Sequence, residues 1–204
     1  MRLVIGGDHA GFELKQVLKT ALNEWGHQVE DVGSFGAEAI DFPDVARTVG
    51  AAILSGQAER GIIVCGTGIG AAMAANKIPG IRAALCHDVH SAHQSVEHDD
   101  ANVLCLGAKI VGEWLAYDLV QSYLQAEYSG EASFQRRLDK LAAMERTMKQ
   151  APILELSDER RAELMPKLNA LIVDLQQIDA IVGPDTEPVL AGPWTTLGEV
   201  DNDR

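Results

Sequence analysis

Cys65 stands directly before Gly66-Thr67-Gly68-Ile69-Gly70, at the end of the most continuous apolar run in the chain, Gly61-Ile62-Ile63-Val64-Cys65. Alternate glycines let the backbone turn tightly and aim several N–H groups at an anion above a helix start. A thiol beside such groups has its thiolate stabilised, which suits it to move a proton to and from carbon near neutral pH. The loop lacks the Gly-Lys-Ser/Thr ending of a nucleoside-triphosphate loop. It also lacks the GxGxxG spacing of a dinucleotide site and follows the third strand instead of the first. Taken singly, the loop reads equally as a close-packed turn and Cys65 as a small core hydrophobe. Cys86 and Cys105 precede no glycine loop and keep that core reading.

Other polar residues collect at the ends of the predicted strands. Asp8 and His9 follow the first, Cys86-His87-Asp88 follow the fourth, and His98 and Asn102 lie just before the fifth. Ligands of a parallel α/β sheet bind beyond the carboxyl ends of its strands, so these residues are expected to converge there with Cys65. His9 adjoins Asp8 and His98 adjoins Asp99-Asp100, and a carboxylate can orient an imidazole for proton transfer to a ligand oxygen. His87, His90 and His93 recur every three residues, so two could share a helical face and bind a metal. No carboxylate or cysteine completes a recognisable set with them, and no metal site is assigned.

Positioning these groups falls to a βαβ rhythm over residues 1–150. Leu3-Val4-Ile5 is followed by Leu14, Val17, Leu18, Ala21, Leu22 and Trp25 on one helical face. A second, less buried strand covers Gln28–Val32, and Pro43 opens a helix through Val45, Val49 and Ile53. The third strand leads through the glycine loop into a helix carrying Ala71–Ala75. Ile81–Leu85 and Asn102–Leu106 supply strands four and five, and a helix spans Glu113–Ala126. Ser133 is the expected cap of a helix carrying Phe134, Leu138, Leu141 and Met148. Uniformly apolar strands in this rhythm predict an α/β fold whose parallel sheet is covered on both faces.

The chain has 204 residues and a net charge of −13. That acidity argues against general nucleic-acid binding, which rests on basic residues, but permits a small phosphorylated ligand. Eleven acids against four bases, a net of −7, fall after Gln150, which marks residues 151–204 as an acidic extension. Leu164, Leu168, Leu171, Leu175, Ile178 and Val182 predict a helix there from about Pro166 to Val182, packing on the same or a neighbouring subunit, before an irregular end. No apolar stretch approaches the roughly 20 residues of a membrane span. The first residues meet Asp8 too early for a signal peptide, and three cysteines without a CxxC pair suggest neither disulfides nor zinc. A cytoplasmic protein is expected.

Together these residues resemble the ribose-5-phosphate isomerase B family, which includes the galactose-6-phosphate isomerase subunits. The resemblance rests on Gly6-Gly7-Asp8-His9-Ala10-Gly11 with Leu14-Lys15, Asp41-Phe42-Pro43, Cys65 to Gly70, Ala74-Ala75-Asn76-Lys77, Gly80-Ile81-Arg82-Ala83, Glu97-His98-Asp99-Asp100-Ala101-Asn102-Val103 and Gly107-Ala108-Lys109. It covers about residues 1–149 in collinear order. It implies a Rossmann-like three-layer α/β/α sandwich with a five-stranded parallel sheet, no metal and no cofactor. It also implies a homodimer or tetramer whose active sites are shared between subunits. Carried over, Cys65 moves a proton between C1 and C2 through a cis-enediol, and Thr67 with the N–H groups of Gly66, Gly68, Ile69 and Gly70 steadies the oxyanion. His98 and Asp8 open the sugar ring, His9 and Arg137 hold the phosphate, with Arg137 from the facing subunit, and Asn102 and Lys109 line the pocket.

The sequence departs from the family at the phosphate end. The family often reads Arg-His-x-x-Arg where this chain has Ser133-Phe134-Gln135-Arg136-Arg137, so one bidentate ligand is missing. Arg136 and Lys109 are candidates to replace it. Phe42 stands where a tyrosine is common. Isomerisation of ribose 5-phosphate to ribulose 5-phosphate is the first expectation. The same chemistry on a tetrose phosphate such as an erythrulose phosphate, or on a 6-phosphohexose, is the alternative. A non-catalytic sugar-phosphate binding module is a third reading.

Overall fold

The computed structural model describes residues 1–36, 38–149, 160, 162–167 and 170. The chain divides into two compact units, Met1–Ala151 and Pro152–Arg204.

Among the described residues of the first unit are eleven elements: β1 (Arg2–Gly7), α1 (Phe12–Glu24), β2 (Gln28–Asp31), α2 (Phe42–Leu54), β3 (Arg60–Cys65), α3 (Ile69–Ala75), β4 (Ala83–Leu85), α4 (Val89–Asp99), β5 (Val103–Gly107), α5 (Glu113–Gln125) and α6 (Ala132–Lys149). The five strands form one parallel sheet in the order β2-β1-β3-β5-β4. Strand residues alternate between two cores. Leu3, Ile5, Ile62, Val64, Leu104 and Leu106 pack with α1, α4 and α5, whereas Val4, Ile63, Cys65, Val103 and Cys105 pack with α2 and α3. Both faces being covered is why these strands read as unbroken apolar runs instead of alternating ones. The three-layer α/β/α arrangement is therefore as the sequence predicts.

Several boundaries move for local reasons. The fourth strand begins at Ala83 and not at Ile81, because the N–H of Ile81 turns back to Ile78 and that of Arg82 is taken by the Asn102 side chain. Ser133 lies inside the first turn of α6 and does not cap it; Phe134 and Gln135 donate to the Glu131 carbonyl at 3.0 and 2.9 Å. Between the last two strands lies α4, capped by Asp88, whose carboxylate accepts from the Ser91 N–H at 2.8 Å. His90 and His93 lie on this helix and His87 precedes it. In the second unit residues 162–167 are helical, so the turn begins before Pro166 instead of at it. The rest of that expected helix, and its packing, lie outside the described residues.

Candidate active site

Strand order reverses between β1 and β3: from β1 the chain crosses to β2 on one side, and beyond β3 lie β5 and β4 on the other. A crevice opens at such a switch point, beyond the carboxyl ends of the two strands. Asp8 directly follows β1 and Cys65 ends β3. The Asp8 backbone N–H donates to the Val64 carbonyl at 3.2 Å, and the Cys65 sulfur lies 2.8 Å from Asp8 Oδ2. The other carboxylate oxygen accepts from the Gly11 N–H at 2.9 Å. Gly11 has to be glycine here, since a Cβ would stand 2.0 Å from the Val64 carbonyl oxygen. That close approach is what lets the start of α1 press Asp8 onto the thiol.

The loop after Cys65 takes the conformation its glycines allow. Gly68 has φ of +77° and a Cβ there would stand 2.5 Å from Leu85. Ile69 and Gly70 start α3, with Ile69 exposed. Thr67 is exposed, its hydroxyl 3.4 Å from the Ile69 N–H. The Lys109 backbone donates to the Gly66 carbonyl at 2.9 Å, and the Lys109 stem runs past Gly66. His9 is exposed beside Asp8. So Asp8, His9, Cys65, the Gly66–Gly70 loop and Lys109 share the carboxyl end of the sheet.

The state of the thiol differs from the sequence expectation. Burial of Cys65, which is 8% exposed, raises its pKa most. The hydrogen bond to Asp8 and the negative charge of Asp8 raise it further, and the N–H groups of Gly68 and Gly66 only partly offset this. The glycine loop supports a thiolate, as expected, but burial of the thiol and the carboxylate beside it outweigh the loop.

His98 and Asn102 lie elsewhere, which corrects the expectation that they converge with Cys65 at the carboxyl end of the sheet; Arg137, expected from a facing subunit, lies near His98. Both His98 and Asn102 precede β5, at its amino end, while Cys65 pairs with Gly107 at its carboxyl end. The step from Gly61, which pairs with Val103, to Cys65 spans roughly 13 Å at about 3.3 Å per residue. The Asn102 side chain is occupied there: Oδ1 accepts from the Arg82 N–H at 2.8 Å and Nδ2 donates to the Gly80 carbonyl at 2.9 Å. His98 stacks on Phe134 of α6, ring centroids 4.0 Å apart at 17°, and the Arg137 guanidinium lies 5.4 Å from the same ring centroid. Phe134 reads in the sequence only as an apolar position of a helix. Its ring contacts span two elements and carry no local signal.

A further polar pair supports the site from below. Lys15 is fully buried on α1 and donates to Asp31 at 2.5 Å, while Lys19 reaches the other oxygen at 3.0 Å. Asp31 also accepts from the Gly33 N–H at 3.1 Å. The Gly33 carbonyl accepts from Gly7, next to Asp8, at 2.6 Å. Burial alone would raise the Asp31 pKa, but the bonds from Lys15, Lys19 and Gly33 hold the carboxyl below its usual value. His93 Nδ1 lies 3.4 Å from Glu97. Among the described residues no group of three or more His, Cys, Asp or Glu side chains is arranged to hold a metal, and none of the described helices is long and apolar enough to cross a membrane.

With this geometry in hand, comparison with known proteins gives one consistent result. Residues 3–141 match the Ribose/Galactose Isomerase family. Ribose-5-phosphate isomerase B of Escherichia coli is 40% identical over 144 residues, covering 71% of this chain and 96% of that protein. D-erythrulose-4-phosphate isomerase 2 of Mycolicibacterium smegmatis is 39% identical over 148 residues, covering 71% and 97%. The structure of Clostridium thermocellum ribose-5-phosphate isomerase B superposes with a TM-score of 0.71 at 43% identity, covering 72% of this chain and 99% of that one.

The chain belongs to the Ribose/Galactose Isomerase family. It is a sugar-phosphate isomerase, an enzyme that interconverts an aldose and a ketose.

Proposed function

We propose that the enzyme converts ribose 5-phosphate to ribulose 5-phosphate, with Cys65 and Asp8 acting together as the base. The observation that carries this reading is the buried 2.8 Å contact between the thiol and the carboxylate. Burial and the neighbouring Asp8 raise the thiol pKa, and Asp8 is the acceptor to which the thiol proton passes when the sulfur acts as base. The thiolate takes the C2 proton of the open-chain aldose. The C2–H electron pair forms the C1–C2 double bond of a cis-enediolate while the carbonyl oxygen becomes an oxyanion. Thr67 and the N–H groups of the Gly66–Gly70 loop stabilise that charge. Cys65 then delivers its proton to C1 while the O2 hydroxyl proton passes to the O1 oxyanion and the C2 carbonyl forms; Asp8 returns its proton to the sulfur. Atoms and charge balance without a cofactor.

His98 opens the sugar ring and Arg137 holds the phosphate, with His9 and Lys109 completing the grip. Because His98 and Arg137 lie at the opposite end of the sheet from Cys65 within one chain, each site is completed by a second copy. The working enzyme is thus a homo-oligomer with shared sites, and a cytoplasmic one. A tetrose phosphate is the second reading, favoured by two observations. A relative of similar identity carries the name D-erythrulose-4-phosphate isomerase, and Ser133 replaces one arginine of the family's phosphate motif.

The test is a panel of tetrose, pentose and hexose phosphates, assayed for turnover and for deuterium exchange at C2 with wild type and Cys65→Ala. Turnover of ribose 5-phosphate above the others, lost in the variant, is expected. Faster turnover of erythrulose 4-phosphate selects the second reading. Activity untouched by Cys65→Ala would move the base to another residue.

A further inference from the structure

Phe134 has no group that can bind a phosphate or transfer a proton, yet it touches both residues assigned to those tasks. Its ring lies nearly parallel to the His98 imidazole at 4.0 Å, and the Arg137 guanidinium sits 5.4 Å from its centroid. Face-to-face aromatic contact and a cation over a ring face are each modest attractions with strict geometry.

The stack is held by backbone. The Ser129 N–H donates to the Glu97 carbonyl at 3.0 Å, tying the segment between α5 and α6 to the end of α4 beside His98. The Phe134 N–H donates to Glu131 at 3.0 Å in the first turn of α6, and Arg137 follows one turn later on the same face. Glu97 Oε2 stands 3.8 Å from His98 Nε2, beyond hydrogen-bond reach. The phenyl therefore fixes the imidazole plane without engaging either ring nitrogen.

We infer that Phe134 is a positioning residue that sets His98 and Arg137 in fixed relation to one another, in place of the second phosphate-binding arginine that Ser133 lacks. The inference rests on the roles given to His98 and Arg137 under the proposed function. With Arg137 the one arginine of the family's phosphate motif kept on α6, the relation between phosphate and ring oxygen is set by how firmly that guanidinium is held. One aromatic ring holds both partners. A leucine or methionine at 134 would keep the apolar volume but provide no ring face for either.

The test compares Phe134→Leu, Phe134→Met and Phe134→Tyr, using whichever of ribose 5-phosphate and erythrulose 4-phosphate wild type converts faster. Leu and Met should lower kcat/KM about tenfold, with KM rising because Arg137 is freed. Tyr, which keeps the ring, should stay within about twofold of wild type. Melting temperature and oligomer mass, measured in parallel, should match wild type in all three, since Phe134 is only half-buried. The inference is overturned if Leu and Met match wild type, or if Tyr falls as far as they do. Cys65→Ala, run alongside, separates the levels: its retained activity overturns the reading beneath, whereas its loss with an active Phe134→Leu overturns this inference alone.

Discussion

Asp8 Oδ2 lies 2.8 Å from the Cys65 sulfur, and both side chains are buried. This pair joins the ends of two adjacent strands, β1 and β3, at the point where strand order reverses. Burial and then the carboxylate raise the thiol pKa, and in the proposed mechanism the carboxylate accepts the thiol proton. Cys65→Ala should lower kcat at least about 100-fold, the range expected for removing a general base.

Asp8→Asn should separate thiolate content from catalysis. It removes the charge that adds to burial in raising the thiol pKa, so iodoacetamide should alkylate Cys65 several-fold faster at pH 7.5 than in wild type. Turnover should nonetheless fall about 100-fold because the proton acceptor is gone. In wild type, alkylation should still be rising at pH 9, where an ordinary thiol with a pKa of about 8.5 is mostly ionised. A plateau by pH 8 in wild type would show that Asp8 does not restrain the thiol.

The division of the site between sheet ends predicts complementation. Cys65→Ala and His98→Ala should each be inactive alone on ribose 5-phosphate. Mixed, denatured and refolded together in equal amounts, they should recover about a quarter of wild-type activity, because a hybrid dimer carries one intact site. No recovery would mean that each site is made within one subunit. Erythrulose 4-phosphate is a built-in control: its terminal oxygen is esterified, it forms no ring, and His98→Ala should spare its conversion relative to ribose 5-phosphate.

Asp31→Asn should destabilise the fold by about 3 kcal/mol in urea unfolding, because it leaves the Lys15 ammonium buried without its partner. Lys15→Met combined with Asp31→Asn should cost less than the two single changes added together. The Asp31 pKa is held below its unfolded value. Its stabilisation is therefore complete above roughly pH 4 and is lost as pH falls through the lower folded value. Equal acid sensitivity of wild type and Asp31→Asn would refute this.

Gly68→Ala should reduce kcat about tenfold or more with little change in overall fold. The backbone there has φ of +77° and a Cβ would meet the Leu106 carbonyl at 3.0 Å, so the loop must shift its N–H groups. Unchanged kcat would mean that the loop is only a tight turn.

Much of this was determined by the sequence alone. Apolar runs at Leu3–Ile5, Ile62–Cys65 and Val103–Leu106, separated by helical periodicity, specify a parallel sheet buried on both faces, because local pattern and burial agree there. The Cys65–Gly70 segment announced itself for the same reason, since a turn after a strand needs glycines whatever surrounds it. The tertiary structure decided what each group meets. Asp8 and Cys65 are 57 positions apart, and only the tertiary structure buries the thiol and puts a carboxylate against it, which together reverse the expected effect on its pKa. Whether a residue follows or precedes its strand decides which end of the sheet it reaches, and this separates His98 from Cys65. The stacking of Phe134 on His98 likewise depends on how α6 packs against α4, a contact between distant segments that no local spacing encodes.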